Sequence, residues 1–302
     1  MSKIINCIQA LQQPKKISEI KELFSLSWCE ALELIGQIQN LDSELIKTNE
    51  NNQYYLIKQL SWLDIKLIQE QLKKVKHDDY QVKIIPEVSS TNTYVLENLS
   101  QLTNKSVIVT ELQTKGRGRA NNKWFSRVGI DITVSFLYLF EEHYNFELFP
   151  LIVAVAINRL FKQYKVSNKI KWPNDIYQNQ ENKICGILVE SGISSGKRFI
   201  VIGIGLDNIK YFERNDLLVN LIINLDNVIR EYSNFGFAIF RREWLDNCIH
   251  FKQKVSIYQN NKLVCSGEHI DLTLDGALVI NTTSGVKNFI SSNVSLSFGG
   301  DK

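Results

Sequence analysis

At 302 residues, with 44% hydrophobic and 22% charged side chains, the chain has apolar material for about two ordinary domains. A formal net charge of +3 excludes a protein that grips nucleic acid by bulk charge, so any such contact must be local. The cysteines (Cys7, Cys29, Cys185, Cys248, Cys265) show no CxxC spacing and the histidines (His77, His143, His250, His269) no HExxH or HxxxH pairing, which reads as reduced thiols in a cytosolic protein and argues against a dedicated zinc site.

Along the chain, Ile4, Ile5, Ile8 and Leu11 recur at helical spacing up to Pro14. Asn6, Gln9 and Gln12 interrupt that run, so it lacks the apolar core of a signal peptide, and no later stretch is long enough to span a bilayer. A second short helix is expected at "ISEIKELF", and a third, "SWCEALELIGQIQNL", opens at Ser27 with Glu30 in capping-box register. "SELIKTNENNQYYLIK" then reads as two strands around Asn49, Glu50, Asn51 and Asn52. Three helices and a hairpin predict a winged helix-turn-helix over residues 1–61. Gln37, Gln39 and Asn40 are its candidate base readers, with Lys47 and Lys58 for phosphate. Against DNA binding, the Ser27 to Asn40 helix has no Lys or Arg and carries Glu30 and Glu33, while residues 1–80 hold ten Lys and no Arg against eleven Asp and Glu. A module that only packs or meets a protein partner is the competing reading.

Beyond an amphipathic helix, Leu63 to Lys73, short strands alternate with helices: "VKII", "SVIVTE", "IDITVSFLYLF", "KICGILVESG" and "RFIVIGIGLDN", with a long apolar helix in "FELFPLIVAVAINRLFKQY". This predicts a mixed-sheet α/β domain with helices on one side over residues 62–251, closed by helices at Asp216 to Tyr232 and Phe237 to His250. From Lys254 onward, "KVSIY", "KLVCSG", "GALVI", "VKNFI" and "SLSF" are short strands split by Asn, Gly and Ser turns, predicting a small SH3-like β-barrel over 252–302. The whole is an α+β multidomain chain.

Four segments of the central region concentrate chemistry. "SSTN", Ser89 to Asn92, sets hydroxyls and an amide at a helix start, where donors converge on a small polar ligand or an anion; an ordinary N-cap would look the same. "GRGR", Gly116 to Arg119, joins backbone freedom to two guanidinium groups suited to phosphate, with Gln113 upstream offering an amide; a solvated basic turn is its plain alternative. Such a loop is expected to order around a ligand. In "KWPND", Lys171 to Asp175, Trp172 before Pro173 is held extended as an aromatic wall, and Asn174 with Asp175 makes a turn able to hold polar groups or a magnesium ion. Lys183 stands where "KICGILVE" leaves its loop; it is either a solvated strand-end lysine or a charge that pairs with a carboxylate and an α-phosphate together, offsetting their repulsion.

Taken in order, "SSTN", "GRGR…KWFS", "KWPNDIY", "NKICGILVESG" and "VIGIGLDN" resemble the motifs of biotin protein ligases of the bifunctional bacterial kind. The resemblance spans the whole chain, by motif in the centre and by pattern at both ends. It implies a two-step reaction: biotin and ATP, with Mg²⁺, give biotinyl-5′-adenylate, and a lysine of the biotin carboxyl carrier protein of acetyl-CoA carboxylase takes the biotinyl group. It also implies a biotin-responsive repressor acting on operator DNA, a ligand-promoted homodimer, and a cytoplasmic protein with no membrane partner. Carried over residue by residue, Ser90, Thr91, Asn92 and Gln113 meet biotin. Arg117, Gly118 and Arg119 close over biotin and phosphate, and Trp124, Asn174 and Asp207 stand by the nucleotide. Lys183 and Arg119 carry the chemistry. Alternative readings are an adenylate-sensing DNA-binding regulator with weak transfer and a lipoate ligase relative. Three departures from the family pattern stand out: GRGRANN where GRGRRG is usual, Asp207 where the strand end usually has Asn, and a wing without its glycine.

Overall fold

The computed structural model describes residues 2–119, 122–141, 144–207, 209, 212–291 and 294–298. Ala120, Asn121 and His143, named above, lie outside them. The N-terminal helices form where the apolar spacing places them: α1 (Lys3–Ala10), α2 (Ile17–Leu23) and α3 (Trp28–Leu41) bury Ile5, Ile8, Ile20, Leu34, Ile35 and Ile38 in one cluster. The Ser27 hydroxyl accepts from the Glu30 N–H and the Glu30 carboxylate accepts from the Ser27 N–H, closing the expected capping box. Strands β2 (Ile46–Thr48) and β3 (Gln53–Leu56) pair as a hairpin, where Asn49 Oδ1 accepts from the Asn51 and Gln53 amides. A two-residue strand β1 (Lys15–Lys16) pairs on the far edge of β3, which apolar spacing could not reveal because it carries no apolar side chain.

This region shares its core with the rest of the chain. Leu60, Leu112 and Val128 complete its apolar cluster. Beside it the Arg214 guanidinium, 1% exposed, lies 2.8 Å from Glu111 and donates to the Ser61 and Asp131 carbonyls, while the Leu63 N–H bonds Glu111. Such a buried cation is tolerated because its donors are met by a carboxylate and two carbonyls.

The central region is a seven-stranded mixed sheet in the order β4-β5-β6-β10-β9-β8-β7. Its strands are β4 (Gln81–Val88), β5 (Ser106–Gln113), β6 (Ile132–Phe140), β7 (Lys169–Lys171), β8 (Asp175–Tyr177), β9 (Lys183–Ser194) and β10 (Lys197–Leu206). Only β4 and β5 pair in parallel. One face carries α4 (Ile65–Lys74), α6 (Phe149–Gln163), α7 (Arg214–Phe235) and α8 (Ala238–Asp246) over the main apolar core. The expectation of helices on one side is corrected by α5 (Thr91–Glu97), which lies on the opposite face with Val95 packed among Ile108, Leu137, Phe199 and Val201. These residues alternate in sequence with core residues Val107, Phe136 and Ile200, as the two-residue period of a strand buried on both faces requires. The predicted helix to His250 ends at Asp246 because the next residues pair with β7 instead: Ile170 N–H donates to the Asn247 carbonyl at 2.8 Å and Ile249 N–H to the Ile170 carbonyl at 2.9 Å.

The C-terminal region is five antiparallel strands, β11 (Lys254–Gln259), β12 (Lys262–Leu272), β13 (Leu278–Thr282), β14 (Gly285–Phe289) and β15 (Ser295–Phe298), in the order β14-β13-β12-β11-β15. Among the described residues β14 and β15 do not pair, so the sheet is open rather than the closed barrel expected from the turn spacing. Its apolar side chains Val255, Ile257, Leu272, Leu278, Ile280 and Phe298 join the central core, and that face is thereby covered without closure. No helix among the described residues is long and apolar enough to cross a membrane.

At this junction His250 and His269 are fully buried with Nδ1 atoms 3.0 Å apart. Burial pushes both pKa values down, that of His269 from 6.5 to about 4, and the Lys171 charge adds to the effect on His250 while the Asp271 charge opposes it at His269. The folded state therefore binds fewer protons than the unfolded chain below pH 6.5. Stability is complete above that pH and falls as pH drops towards 4, by about 3 kcal/mol for His269 alone. Melting temperatures recorded from pH 7 to 4 are expected to fall less steeply for His269→Gln than for wild type; parallel curves would place the acid sensitivity elsewhere.

Candidate active site

The sheet face under α5 is stepped down by small residues. Register pairs Thr133 with Gly205 and Gly205 with Gly186 in one row, and Ser135 with Gly203 and Gly203 with Leu188 in the next. Absence of side chains at the β10 positions makes a floor into which larger groups sink. A Cβ at Gly203 would stand 2.4 Å from Asn92 Oδ1, and one at Gly205 would stand 2.2 Å from Trp124 Cε2. Gly205→Ala is accordingly expected to displace the indole at a cost of ~1–3 kcal/mol, the usual range for overpacking. An unchanged urea midpoint followed by tryptophan fluorescence would show that the indole does not rest there.

Over this floor lies a cleft lined by the motif residues Ser90, Thr91, Asn92, Gln113, Arg117, Gly118, Arg119, Trp124, Asn174 and Lys183. Ser90 stands at the N-cap of α5, yet its side chain makes no capping bond, so the ordinary N-cap reading of SSTN fails for it. Instead Gln113 Oε1 accepts from the Thr91 N–H at 2.8 Å, and the Thr91 hydroxyl lies 3.2 Å from the same oxygen. The Asn92 amide donates to Glu190 at 2.8 Å, and its oxygen lies 2.5 Å from the buried Ser135 hydroxyl.

The GRGR segment is a closed hairpin in its described part. The Trp124 N–H donates to the Gly116 carbonyl at 2.9 Å and the Gly118 N–H to the Asn122 carbonyl at 2.7 Å. Its two arginines point to different partners: Arg117 donates to Glu190 at 2.7 Å, whereas Arg119 donates to Asn174 Oδ1 at 3.0 Å and to the Ser291 carbonyl of the C-terminal region. Burial lowers the Arg119 pKa, opposed by the charge of Asp175. The KWPND turn joins β7 to β8 and buries Trp172, whose indole N–H reaches the Gly276 carbonyl at 3.4 Å. Asn174 is clamped by donating to the Ile187 carbonyl at 2.7 Å. Lys183 Nζ lies 2.8 Å from Asp175 Oδ1 and 5.5 Å from the centre of the Trp124 ring. The Trp124 indole N–H is buried without a hydrogen-bond partner among the described residues, a donor that a ligand acceptor would satisfy.

Chemically, one part of the lining is neutral and polar (Ser90, Thr91, Asn92, Gln113, Thr133) and another is cationic (Arg117, Arg119, Lys183). The cleft thus offers both neutral hydrogen-bonding groups and positive charge, which suits a molecule carrying a polar head and an anionic group. None of the lining residues is a carboxylate, and neighbouring Asp175 is held by Lys183. A magnesium ion would therefore be carried by ligand oxygens and water rather than by a protein cage.

Asp207 does not line the cleft: Arg127 holds its carboxylate at 2.7 Å and also pairs with Asp131. The substitution at this strand end thus has its own counter-charge. Gln37, Gln39, Asn40 and Lys47 are exposed on the N-terminal region, Gln37 within 3.4 Å of Glu33, whereas Lys58 is drawn to Asp42 and Glu44. Motif reading missed Glu190, Ser135 and Thr133. Strand period would have found Glu190, which falls on the same face as Gly186 and Leu188; an apolar-run reading of the strands hides such positions.

Residues 84–207 match the biotin/lipoate A/B protein ligase family. The bifunctional ligase/repressor BirA of Escherichia coli (strain K12) is 27% identical over 268 residues, covering 80% of this chain and 81% of its own. Biotin–protein ligase 1, chloroplastic, of Arabidopsis thaliana is 37% identical over 129 residues, covering 40% of this chain and 35% of its own. Among solved structures, the biotin protein ligase from Aquifex aeolicus in complex with biotin and ATP is 25% identical with a TM-score of 0.62, covering 72% of this chain and 99% of that one.

Proposed function

We propose, from the match of residues 84–207 to the biotin/lipoate A/B protein ligase family, that this chain is an ATP-dependent biotin protein ligase. In the first step the biotin carboxylate attacks the α-phosphate of ATP, forming biotinyl-5′-adenylate and releasing pyrophosphate. In the second, a lysine amine of the biotin carboxyl carrier protein attacks the biotinyl carbonyl and AMP leaves. The observation that carries the reading is the meeting of SSTN, GRGR, Asn174 and Lys183 around one cleft. Ser90, Thr91, Asn92 and Gln113 would hold the polar head of biotin, and Lys183 would lie between its carboxylate and the phosphate. Arg117, Gly118 and Arg119 would cover the adenylate, with Trp124 and Asn174 beside the nucleotide; Asp207 would act only indirectly, through Arg127. A mixed anhydride hydrolyses where water reaches it, so the hairpin that supplies phosphate charge also excludes solvent.

The proposal divides the chain into a winged helix-turn-helix (1–61), the ligase domain (62–251) and an SH3-like region (252–302), the last as an open sheet. It includes biotin-responsive repression, since a relative covering 80% of the chain is named ligase/repressor. Operator contact would run through Gln37, Gln39, Asn40 and Lys47, and ligand would promote a cytoplasmic homodimer. Binding of operator DNA that weakens steeply with salt would support this arm; salt-insensitive or absent binding would leave a ligase alone.

The deciding experiment incubates the protein with ATP, Mg²⁺, a carrier domain and either biotin or lipoate, then weighs the carrier. A gain of one biotinyl group is expected. A lipoyl gain would move the reading to a lipoate ligase, and pyrophosphate release without any gain would make the protein an adenylate-retaining sensor.

A further inference from the structure

The segment after α8 runs beside β7 and holds it by alternating backbone bonds to Ile170, but at the next rung a side chain replaces the backbone: the Trp172 N–H donates to His250 Nε2 at 3.1 Å. From there the contacts continue, His250 Nδ1 to His269 Nδ1 at 3.0 Å and His269 Nε2 to the Asp271 carbonyl at 3.0 Å. One arrangement of protons satisfies all three. Nε2 of His250 must be bare to accept from an amide, so Nδ1 carries the proton and donates to a bare Nδ1 on His269, whose Nε2–H meets the carbonyl. Both rings are then neutral and of opposite tautomer. The donor amide belongs to Trp172, two residues before Asn174, which receives Arg119, and three before Asp175, which pairs with Lys183.

We propose that His250 and His269 are positioning residues for the ligase reaction, setting the KWPND turn against the C-terminal strand β12 so that Asn174 and Asp175 present Arg119 and Lys183 to the cleft. This rests on the ligase reading of that cleft. Neither imidazole touches the reacting atoms; they act through the Trp172 amide. Cys248, His250 and His269 also place their ligand atoms within 4.8 Å of one another, but a shared metal would need both Nδ1 atoms bare. The His250 proton would then sit on Nε2, facing the Trp172 N–H donor to donor, so the hydrogen bonds favour the relay over a metal centre.

His250→Gln keeps an acceptor at one end and a donor at the other, whereas His250→Phe fills the space with neither. In biotin-dependent ATP–pyrophosphate exchange, His250→Phe is expected to lower kcat by ~10- to 100-fold, the scale of a misplaced catalytic group, with a smaller change in KM, and His250→Gln to restore most of the loss. A folded His250→Phe protein with wild-type kcat, or a glutamine variant as impaired as phenylalanine at equal melting temperature, would overturn the proposal. Independently of any variant, ¹⁵N spectra of histidine-labelled wild type are expected to show Nδ1–H on His250 and Nε2–H on His269. Like tautomers, or one zinc per chain in the purified protein, would overturn it. Wild type that fails to biotinylate the carrier while showing the opposite tautomers would sink the ligase reading and leave the relay standing.

Discussion

Lys183→Ala is expected to slow adenylate formation by ~10²–10³-fold, the scale on which loss of one preorganised charge acts at a developing anion. Its ammonium is held by Asp175 at 2.8 Å and lies against the Trp124 ring, with 36% of the side chain still exposed. Half-exposed ion pairs stabilise by only about 0–1 kcal/mol, so the fold should survive the change while the reaction does not. The freed Asp175 carboxylate would moreover stand beside Arg119, where its charge already opposes the lowering of the Arg119 pKa by burial, and so compete with phosphate for the remaining cation. Biotin-dependent ATP–pyrophosphate exchange at wild-type rate, with an unaltered melting temperature, would remove Lys183 from the mechanism.

The second large effect is expected at Arg119. Its guanidinium ties the GRGR hairpin to Asn174 on the KWPND turn and to the Ser291 carbonyl beyond β14. Hydrogen bonds from a charged group contribute roughly 1.5–3 kcal/mol each, and two of them converge here from regions far apart in the chain. Arg119→Gly loses both and adds backbone freedom to a loop that already contains two glycines. The adenylate should then escape ~10- to 100-fold faster, in proportion to one such bond, and label lysines of a non-carrier protein in solution. Retention measured by chase with unlabelled biotin would read the escape directly. A mutant that holds its adenylate like wild type and labels only the carrier would show that the hairpin closes without this anchor.

Both residues were legible in the chain because their chemistry is written locally. Glycines beside arginines, a proline between tryptophan and asparagine, and hydroxyls at a helix start each have a preferred backbone conformation that follows from a few adjacent residues. The same locality let the N-terminal helices, the capping box at Ser27 and the alternation of strands and helices be read in advance. Glu190 was missed for the opposite reason. It lies inside β9 just past the apolar run Ile187 to Val189, and its role comes from Asn92 and Arg117 approaching from two other segments. Asp207 stands out in the sequence only as a departure at a strand end, and the fold sets Arg127 against it.

The sequence by itself determined where most helices and strands arise, though not β1 or the end of α8, which residues carry charge or special backbone freedom, and the order of the motifs that carry the resemblance. Only the tertiary structure decided that α5 covers the second face of the sheet, that the C-terminal sheet stays open because the central core covers it, and that His250 reaches back 78 positions in sequence to Trp172 while bonding His269. Local propensity acts over a few neighbouring residues, whereas these contacts depend on which faces are buried together, and a single chain's residue pattern does not contain that pairing.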